Sequence, residues 1–448
     1  MNRSKLTACG LALAALASGS AFGSAAANAQ QAERESITPV IAHHQHLLSP
    51  TMREAWQPRE TAIELPAELA HVLRERERIS GNNDPSDIYS EDALFVRMGE
   101  RSPWDRGNTT ARSLAAKNPP MARFIPIGYS SSVTSAYLAG VVRIGDGEDV
   151  GNFVLGLVKG VGGKWQIAVE NITPKAPATY TKPILAADLI RQMDDAGVRR
   201  GVILSVGYSY SSPSRQNAPG EYELVRGEND WTGGQAALFP NRLVAFCGVN
   251  PLRDYAVREV ERCATTGRFK GTKLHFANSR VDLENPEHVK KVRAFFAAAN
   301  RFKMPIAVHL WTLDPKYGAA HSRIFMREIL PAAPNIPIQI AHMAGAGTYV
   351  HDDALEVFSD AVARKERLTR NLYFDLTGTI DEKTPEAKIS QLVTRLRQIG
   401  VERLLFGSDM HPNPDIKSAW AIFRGRVSLT DAEIRAIADN EAPYMRAR

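Results

Sequence analysis

The feature that most constrains the fold is a strict alternation of helical and strand-like segments that begins near Pro183. Short β-branched runs separated by amphipathic helical stretches predict a parallel sheet with helical crossovers. The predicted strands lie at 201–206, 243–249, 271–276, 305–310, 336–342, 372–376 and 404–408. The run from Val40 to His46 adds an eighth strand, and eight such strands predict a closed (β/α)8 TIM barrel of the α/β class. A doubly wound open sheet is the alternative, but no glycine-rich dinucleotide fingerprint follows any predicted strand.

Residues 59–176 follow a different pattern. A long amphipathic helix is predicted over 62–79, and short alternating runs with glycine-rich turns between them predict antiparallel strands. The segments "YSEDALFV", "SAYLAGVVRI" and "GKWQIAVENI" resemble an NTF2-like (SnoaL-like) domain. The resemblance implies a small α+β domain at 59–176, inserted after the first barrel strand, so that the barrel comprises 38–58 and 177–445.

The first predicted barrel strand ends in His43, His44, Gln45 and His46. Side chains two residues apart on a strand point the same way, so His44 and His46 are expected to present both imidazoles to one face. Two imidazoles on one strand suit a catalytic metal site that keeps an open position. Taken alone, the pair fits two surface or core histidines equally well.

The other predicted strands also end in residues that carry chemistry. In a TIM barrel the active site lies at the C-terminal ends of the strands. The residues at these ends are His44, His46, Lys273, His275, His309, His342, Asp375 and Asp409. Five of the eleven histidines therefore fall at strand ends, and this joint pattern favours a metal site over satisfied core histidines.

The motifs "GTKLH", "PIAVHL", "IAHMAGAG" and "LLFGSDMHP" resemble, in order and spacing, the amidohydrolase superfamily. Within it, the chain is most similar to the amidohydrolase-related group (amidohydrolase 2), which includes metal-dependent decarboxylases. The resemblance implies that His44, His46, His309 and Asp409 bind one divalent metal ion. Asp409 would also accept a proton, and His342 would be a further ligand or the acid/base. Zinc suits this donor set best, and manganese, iron or cobalt also fit.

Lys273 and His275 share one face of the fourth predicted strand, and we expect both to contact substrate. In binuclear members of the superfamily a carbamylated lysine at this place bridges two metal ions, but the group resembled here is usually mononuclear. A structural lysine is the other alternative. Asp375 fits a structural role and a role as acceptor for a ligand histidine equally well.

These residues barely separate two reactions. We predict a hydrolase that attacks an ester, lactone or amide carbonyl with metal-activated water, because the leader pattern described below indicates export, and exported enzymes of this kind more often hydrolyse scavenged molecules. A metal-dependent non-oxidative decarboxylase of an aromatic or dienoic acid is the first alternative. The second is that the NTF2-like insert is the working part, as a ligand-binding or dimerisation module.

The N-terminus carries Arg3 and Lys5, an apolar run over 6–17 and small residues up to Ala29. This pattern predicts a signal peptide at 1–29 and an exported protein, periplasmic or secreted. No later segment approaches the length of a transmembrane helix. The net charge of +6, or +4 without the two leader cations, predicts no nucleic-acid partner. We expect a small-molecule substrate, with a homodimer left open.

The two cysteines of the predicted mature chain are Cys247, in a strand-like run, and Cys263, in a helical run. Export would permit a disulfide between them. We nevertheless expect both to be buried, unpaired and apolar in character.

Overall fold

The structure is a computed structural model that describes residues 34–56, 60–79, 88–96, 104–107, 122–145, 149–174, 182–212, 219–347, 350–410 and 415–446. The described chain forms two compact units. One contains the residues up to Met52 and from Lys182 onward, and the other runs from Arg53 to Thr181. The predicted signal peptide lies outside the described residues.

The strands and helices are numbered in chain order. The strands are β1 (Ile41–His46), β2 (Tyr89–Val96), β3 (Trp104–Arg106), β4 (Ala122–Ser131), β5 (Ser135–Ile144), β6 (Asp149–Lys159), β7 (Trp165–Pro174), β8 (Arg200–Leu204), β9 (Leu243–Gly248), β10 (Phe269–His275), β11 (Ile306–His309), β12 (Ile338–Ile340), β13 (Leu372–Asp375), β14 (Leu404–Leu405) and β15 (Asp409–Met410). The helices are α1 (Pro50–Trp56), α2 (Ala67–Arg78), α3 (Ala186–Asp195), α4 (Glu221–Ala237), α5 (Ala256–Thr265), α6 (Phe276–Ser279), α7 (Pro286–Arg301), α8 (Ala319–Ile324), α9 (Asp352–Ala363), α10 (Glu386–Ile399), α11 (Ile416–Arg426) and α12 (Asp431–Asp439).

The larger unit is a closed parallel barrel. Its strands pair in the order β14-β13-β12-β11-β10-β9-β8-β1-β15. Both β14 and β15 belong to the eighth predicted strand: β14 pairs with β13, and β15 pairs with β1. The sheet therefore closes on itself, and the predicted (β/α)8 TIM barrel is confirmed.

Several barrel helices begin where the sequence supplies a capping side chain. Asn285 accepts a hydrogen bond from the Glu287 amide at the start of α7, which has proline at its first position. At the start of α12, the Thr430 hydroxyl accepts from the Glu433 amide, and the Glu433 carboxylate accepts from the Thr430 amide. This reciprocal capping box satisfies two amides that the helix leaves free.

The lower part of the barrel interior is filled with apolar side chains. The cluster brings together residues of strands that face each other across the barrel, with three residues from the C-terminal turn. Its members are Ile41, Val202, Leu204, Phe246, Ala307, Leu405, Ala442, Tyr444 and Met445. The pairing of β1 with β8 shifts register between Ala42 and Gln45. Because this bulge changes which residues face inward, Ile41 can join the cluster while His44 and His46 face the interior near the strand ends.

The second unit packs α2 against a mixed sheet in the order β3-β2-β7-β6-β5-β4. The pairing of β2 with β7 is parallel, and the other pairings are antiparallel. The helix begins at Ala67, later than predicted, because Pro66 precedes it as the cap. The NTF2-like assignment and its binding or dimerisation role stay predictions.

Cys247 on β9 and Cys263 in α5 form a disulfide, with 6.5 Å between their Cα atoms. The expectation of two unpaired cysteines is therefore wrong. Phe246 faces the barrel interior, so the next residue faces the helix layer, where α5 covers the strand. Within the described residues, no helix is both long enough and apolar enough to cross a membrane.

Candidate metal centre

Three predicted ligands converge where β1 and β15 run side by side. His44 Nε2 lies 3.1 Å from His46 Nε2. Asp409 Oδ1 lies 3.4 Å from His46 Nε2 and 3.7 Å from His44 Nε2. Nitrogen and oxygen ligands lie about 2.0–2.2 Å from a zinc-type ion, so two ligands of one ion are at most about 4.4 Å apart. All three separations fall within this limit, and the three residues fit a single ion.

Each imidazole of this centre makes a hydrogen bond through its Nδ1 atom, on the side away from the converging Nε2 atoms. Each Nδ1 faces an atom that can only accept a hydrogen bond, so each Nδ1 carries the proton and each Nε2 keeps its lone pair. The pairs are His44 Nδ1 with Asp375 Oδ2 at 3.0 Å, His46 Nδ1 with the Leu204 carbonyl at 2.6 Å, and His342 Nδ1 with the Thr377 carbonyl at 2.7 Å. Because the Nε2 atoms of His44 and His46 direct lone pairs at the same space, an electrophile is expected between them.

His309 lies beside this group but is not one of its three members. Its ring stacks on His275 at 3.9 Å and lies 4.8 Å from the His342 ring. Its Nε2 is buried and has no hydrogen-bond partner among the described residues. Buried polar atoms are rarely left unpaired, so this nitrogen is available to an ion or a substrate.

Lys273 and His275 lie where the predicted substrate contacts were expected, at the end of β10. Lys273 is buried, and its Nζ lies 3.2 Å from His44 Nε2, among the ligand atoms. Burial lowers the pKa of Lys273 to about 8, against the opposing effect of Asp375 and Asp409. His275 Nδ1 accepts from the Asn278 amide and so caps the short helix α6. The role of both residues as substrate contacts stays a prediction.

His342 lies on a strained turn. His342, Met343 and Ala344 have φ values of +52°, +51° and +61°, in the left-handed region. Each such residue costs roughly 1–3 kcal/mol, and strain of this kind concentrates at functional sites. The His342 amide donates to Asp375 Oδ1 at 2.9 Å, which holds the turn against the same carboxylate that orients His44.

The charges of the site favour a cation. Burial raises the pKa of Asp409, but the nearby His44, His342, His46 and Lys273 bring it below its usual range. Burial lowers the pKa of His46 to about 3, so the imidazole is neutral. Neutral imidazoles beside an ionised carboxylate are a donor set for a divalent metal.

Gly407, between the two parts of the eighth strand, allows a close approach to β1. A Cβ at this position would lie 2.6 Å from His44 Cβ, closer than two carbons can pack. Only glycine therefore lets the chain pass behind His44 without displacing it.

Gln339 was not identified from the sequence, although its Nε2 donates to Asp375 Oδ2 at 2.7 Å. The available signal was a lone polar residue between Ile338 and Ile340 in an otherwise apolar strand. Two aromatic rings lie beside these histidines: the Tyr208 ring centre is 5.1 Å from that of His275, and the Trp311 ring centre is 6.2 Å from that of His309.

The fold and the donor set define a TIM-barrel enzyme of a metal-binding type. The Amidohydro_2 family model, described as amidohydrolase, matches residues 178–440, which is more than half of the chain. The protein therefore belongs to the amidohydrolase family, and the resemblance seen in the sequence is confirmed. No curated protein sequence matches the chain significantly.

Solved structures with a similar fold include three decarboxylases. The chain is 17% identical to 2,6-dihydroxybenzoate decarboxylase from Rhizobium, over 56% of this chain and 84% of that one, with a TM-score of 0.41. It is 16% identical to 5-carboxyvanillate decarboxylase from Sphingomonas paucimobilis, over 56% of this chain and 79% of that one, with a TM-score of 0.41. It is 19% identical to a dihydroxybenzoic acid decarboxylase from Polaromonas sp. JS666, solved with bound manganese and the inhibitor 2-nitroresorcinol. The match covers 56% of this chain and 82% of that one, with a TM-score of 0.40.

Proposed function

We propose that the protein is an exported metal-dependent hydrolase that attacks an ester, lactone or amide carbonyl at the C-terminal end of its barrel. The observation that carries the proposal is the convergence of His44 Nε2, His46 Nε2 and the Asp409 carboxylate. His309, with its unpaired buried Nε2, is the fourth proposed ligand.

One divalent ion held by these residues would supply Lewis acidity, which polarises a carbonyl and makes water acidic enough to ionise near neutral pH. The Asp409 carboxylate is ionised, so it can accept the proton of an attacking water. His342 keeps its Nδ1 on the Thr377 carbonyl. The proton that Asp409 takes from the water would then pass through His342 Nε2 to the leaving group, which returns Asp409 to its ionised form.

A non-oxidative decarboxylase of an aromatic or dienoic acid is the second candidate, and Lys273 favours it. A buried amine 3.2 Å from His44 Nε2 would, when protonated, attract a substrate carboxylate to the ion. The same position fits a carbamylated lysine that bridges two ions. Metal stoichiometry separates the last two roles: one ion per chain supports a free lysine, and two support the bridge.

The metal is tested by mass spectrometry on the purified mature protein, beside His44→Ala and Asp409→Ala variants. About one ion per chain, lost from both variants, is the expected result. No bound ion, and no binding after zinc or manganese is added, would contradict the metal proposal. The retained metal also decides between zinc, manganese, iron and cobalt.

The reaction is tested with the metal-loaded protein on two panels, one of esters, lactones and amides and one of aromatic and dienoic acids. Hydrolysis on the first panel supports the hydrolase. Release of carbon dioxide on the second panel, without hydrolysis on the first, would replace it by the decarboxylase.

Export is proposed from the leader pattern at residues 1–29. The Cys247–Cys263 disulfide supports it, since such bonds persist mainly in oxidising compartments. Cell fractionation and N-terminal sequencing are the test. A mature N-terminus at Gln30 in the exported fraction is expected, and an intact leader in the cytoplasmic fraction would contradict export.

A further inference from the structure

The C-terminal turn of the chain is connected to the proposed ligand His44 by hydrogen bonds through the barrel interior. Tyr444, in the turn Pro443–Met445, donates its hydroxyl to Gln339 Oε1 at 2.5 Å. Gln339 Nε2 donates to Asp375 Oδ2 at 2.7 Å, and the same oxygen accepts from His44 Nδ1 at 3.0 Å. All four side chains are buried.

We propose that Tyr444 and Gln339 are positioning residues that fix the tautomer and ring orientation of His44 through Asp375. The inference rests on the proposed metal-dependent function, because it concerns how well His44 presents Nε2 to an ion. It assigns a role at the metal centre to residues that do not contact it.

The direction of each hydrogen bond supports this role. The Asp375 carboxylate only accepts, so Gln339 must turn its amide nitrogen toward Asp375 and its carbonyl oxygen toward Tyr444. The Tyr444 hydroxyl satisfies that oxygen. Without the hydroxyl, Gln339 Oε1 would be buried without a donor, and the amide would lose the contact that holds its orientation.

The packing around Tyr444 fixes where this hydroxyl lies. The ring meets Phe246 edge to face at 5.0 Å and lies 6.2 Å from the His43 ring. The Ala442 amide donates to His43 Nε2 at 3.3 Å, which ties the turn to β1 just below the metal centre. The turn therefore has little freedom, and a network of buried hydrogen bonds transmits that rigidity to His44.

The test compares Tyr444→Phe with Tyr373→Phe. Both changes remove one hydroxyl. Tyr444 belongs to the interior apolar cluster, and the half-buried Tyr373 packs against it but makes no hydrogen bond through its hydroxyl among the described residues. Zinc affinity is measured by competition with a chelator, and Tm is measured in parallel. Tyr444→Phe is expected to raise the zinc Kd about tenfold, as loss of an indirect support of a ligand histidine does, and Tyr373→Phe to leave it within about twofold.

A purely structural role would lower the Tm of Tyr444→Phe and leave the zinc Kd of the folded protein unchanged, and that result would overturn the proposal. If Tyr444→Phe does not fold, Gln339→Met keeps the test, since it removes both central hydrogen bonds at similar volume. It is expected to weaken zinc binding at least as much.

A readout in the metal-free protein separates this proposal from the proposed function. Nitrogen-15 NMR of labelled histidine reports which ring nitrogen of His44 carries the proton. The wild type is expected to show the Nδ1–H tautomer, and Tyr444→Phe a mixture of both. If the wild type binds no zinc, the metal-dependent function fails, and the tautomer result alone decides: a mixture in the variant supports the positioning role, and an unchanged tautomer overturns it.

Discussion

The metal centre of the barrel and the buried polar cluster of the second unit differ in how completely their polar atoms are paired. In the second unit, Arg76 donates to both oxygens of Glu170 at 2.6–3.1 Å, and the Tyr89 hydroxyl donates to the same carboxylate at 2.5 Å. In the barrel, His44 Nε2 and His46 Nε2 lie 3.1 Å apart with no hydrogen between them, and Lys273 Nζ is a donor 3.2 Å from His44 Nε2. A paired cluster stabilises a core, whereas converging lone pairs await a ligand.

The two arrangements have opposite energetic consequences. Breaking a paired, buried ion pair is strongly destabilising, because a buried charge is left without a partner. The converging lone pairs of His44 and His46 repel each other in the metal-free protein, and an ion bound between them would remove this cost. Substitutions in the paired cluster of Arg76, Glu170 and Tyr89 should therefore change stability, and substitutions in the metal centre should change metal binding and reaction rate.

The largest expected effect is that of Asp409→Asn. The amide keeps the shape of the side chain but removes the negative charge and the proton acceptor. We expect loss of the metal and a fall in kcat/KM of at least about 10⁴-fold, equivalent to about 5 kcal/mol. Mass spectrometry and steady-state kinetics are the measurements. Asp194→Asn, on the exposed surface of α3, is the control, and full metal content in Asp409→Asn would contradict the assignment.

The second prediction concerns the paired cluster. Arg76→Met leaves the Glu170 carboxylate buried with only Tyr89 as a donor, and we expect the second unit to lose about 3–5 kcal/mol of stability. Urea unfolding followed by intrinsic fluorescence and circular dichroism measures the loss. Arg78→Met, whose side chain is 67% exposed, is the control and should change stability by less than about 0.5 kcal/mol. Reduced metal content in folded Arg76→Met would break the comparison between the two clusters.

Much of the barrel site could be predicted from the sequence. The helix-strand alternation predicts the strands, and the rule that active sites lie at their C-terminal ends points to the eight residues at the strand ends. The ligand set His44, His46, His309 and Asp409 is implied by the resemblance to the amidohydrolase superfamily. Locating the strand-end residues needs only the order of the strands and the alternation of side chains along each strand. By that alternation, residues two apart, such as Lys273 and His275, share a face. These local patterns do not depend on how distant parts of the chain pack.

The rest depends on long-range packing. The bulge in β1, which turns both Ile41 and His44 inward, follows from the pairing with β8 and has no clear local signal. The contact of Tyr444 with Gln339 joins residues 105 positions apart. The Cys247–Cys263 disulfide requires knowledge of which strand face α5 covers. Each of these features is set by tertiary structure and not by local propensity.

Glu228 gives the third prediction, because it has one unpaired oxygen but belongs to no ligand group. It is buried on α4; Oε2 accepts from the Ser49 hydroxyl at 2.5 Å, and Oε1 has no partner among the described residues. Burial raises the pKa of Glu228 to about 7. The folded protein therefore holds a proton that the unfolded chain releases near pH 4.5, so this group makes stability fall as pH rises from about 4.5 to 7.

Glu228→Gln should remove this pH dependence. At pH 8 the variant is expected to be more stable than the wild type by up to about 3 kcal/mol, with no gain below about pH 4.5. Tm measured from pH 4 to pH 8 is the test, and Glu223→Gln, exposed on the same helix, is the control. A gain that is equal at all pH values would show that the unpaired oxygen is not the cause. An accompanying loss of metal would show that Glu228 belongs to the site.

The smallest effect is expected for Asp375→Asn. This change tests whether the hydrogen bond between Asp375 and His44 Nδ1 supports metal binding by His44 Nε2. Oδ1 of Asp375 accepts from the amides of His342 and Thr377, so the asparagine oxygen is expected to stay there. Its NH₂ group would then face His44 Nδ1, and His44 would have to move its proton to Nε2. That change removes the lone pair from the metal centre, and we expect about 10–100-fold weaker zinc binding. Chelator competition measures it, and Glu382→Gln, on the exposed part of the loop after β13, is the control. An unchanged zinc affinity would mean that Asp375, the acceptor of His44 Nδ1, does not set the tautomer of His44. The hydrogen bonds of Asp375 would then not support the metal ligand.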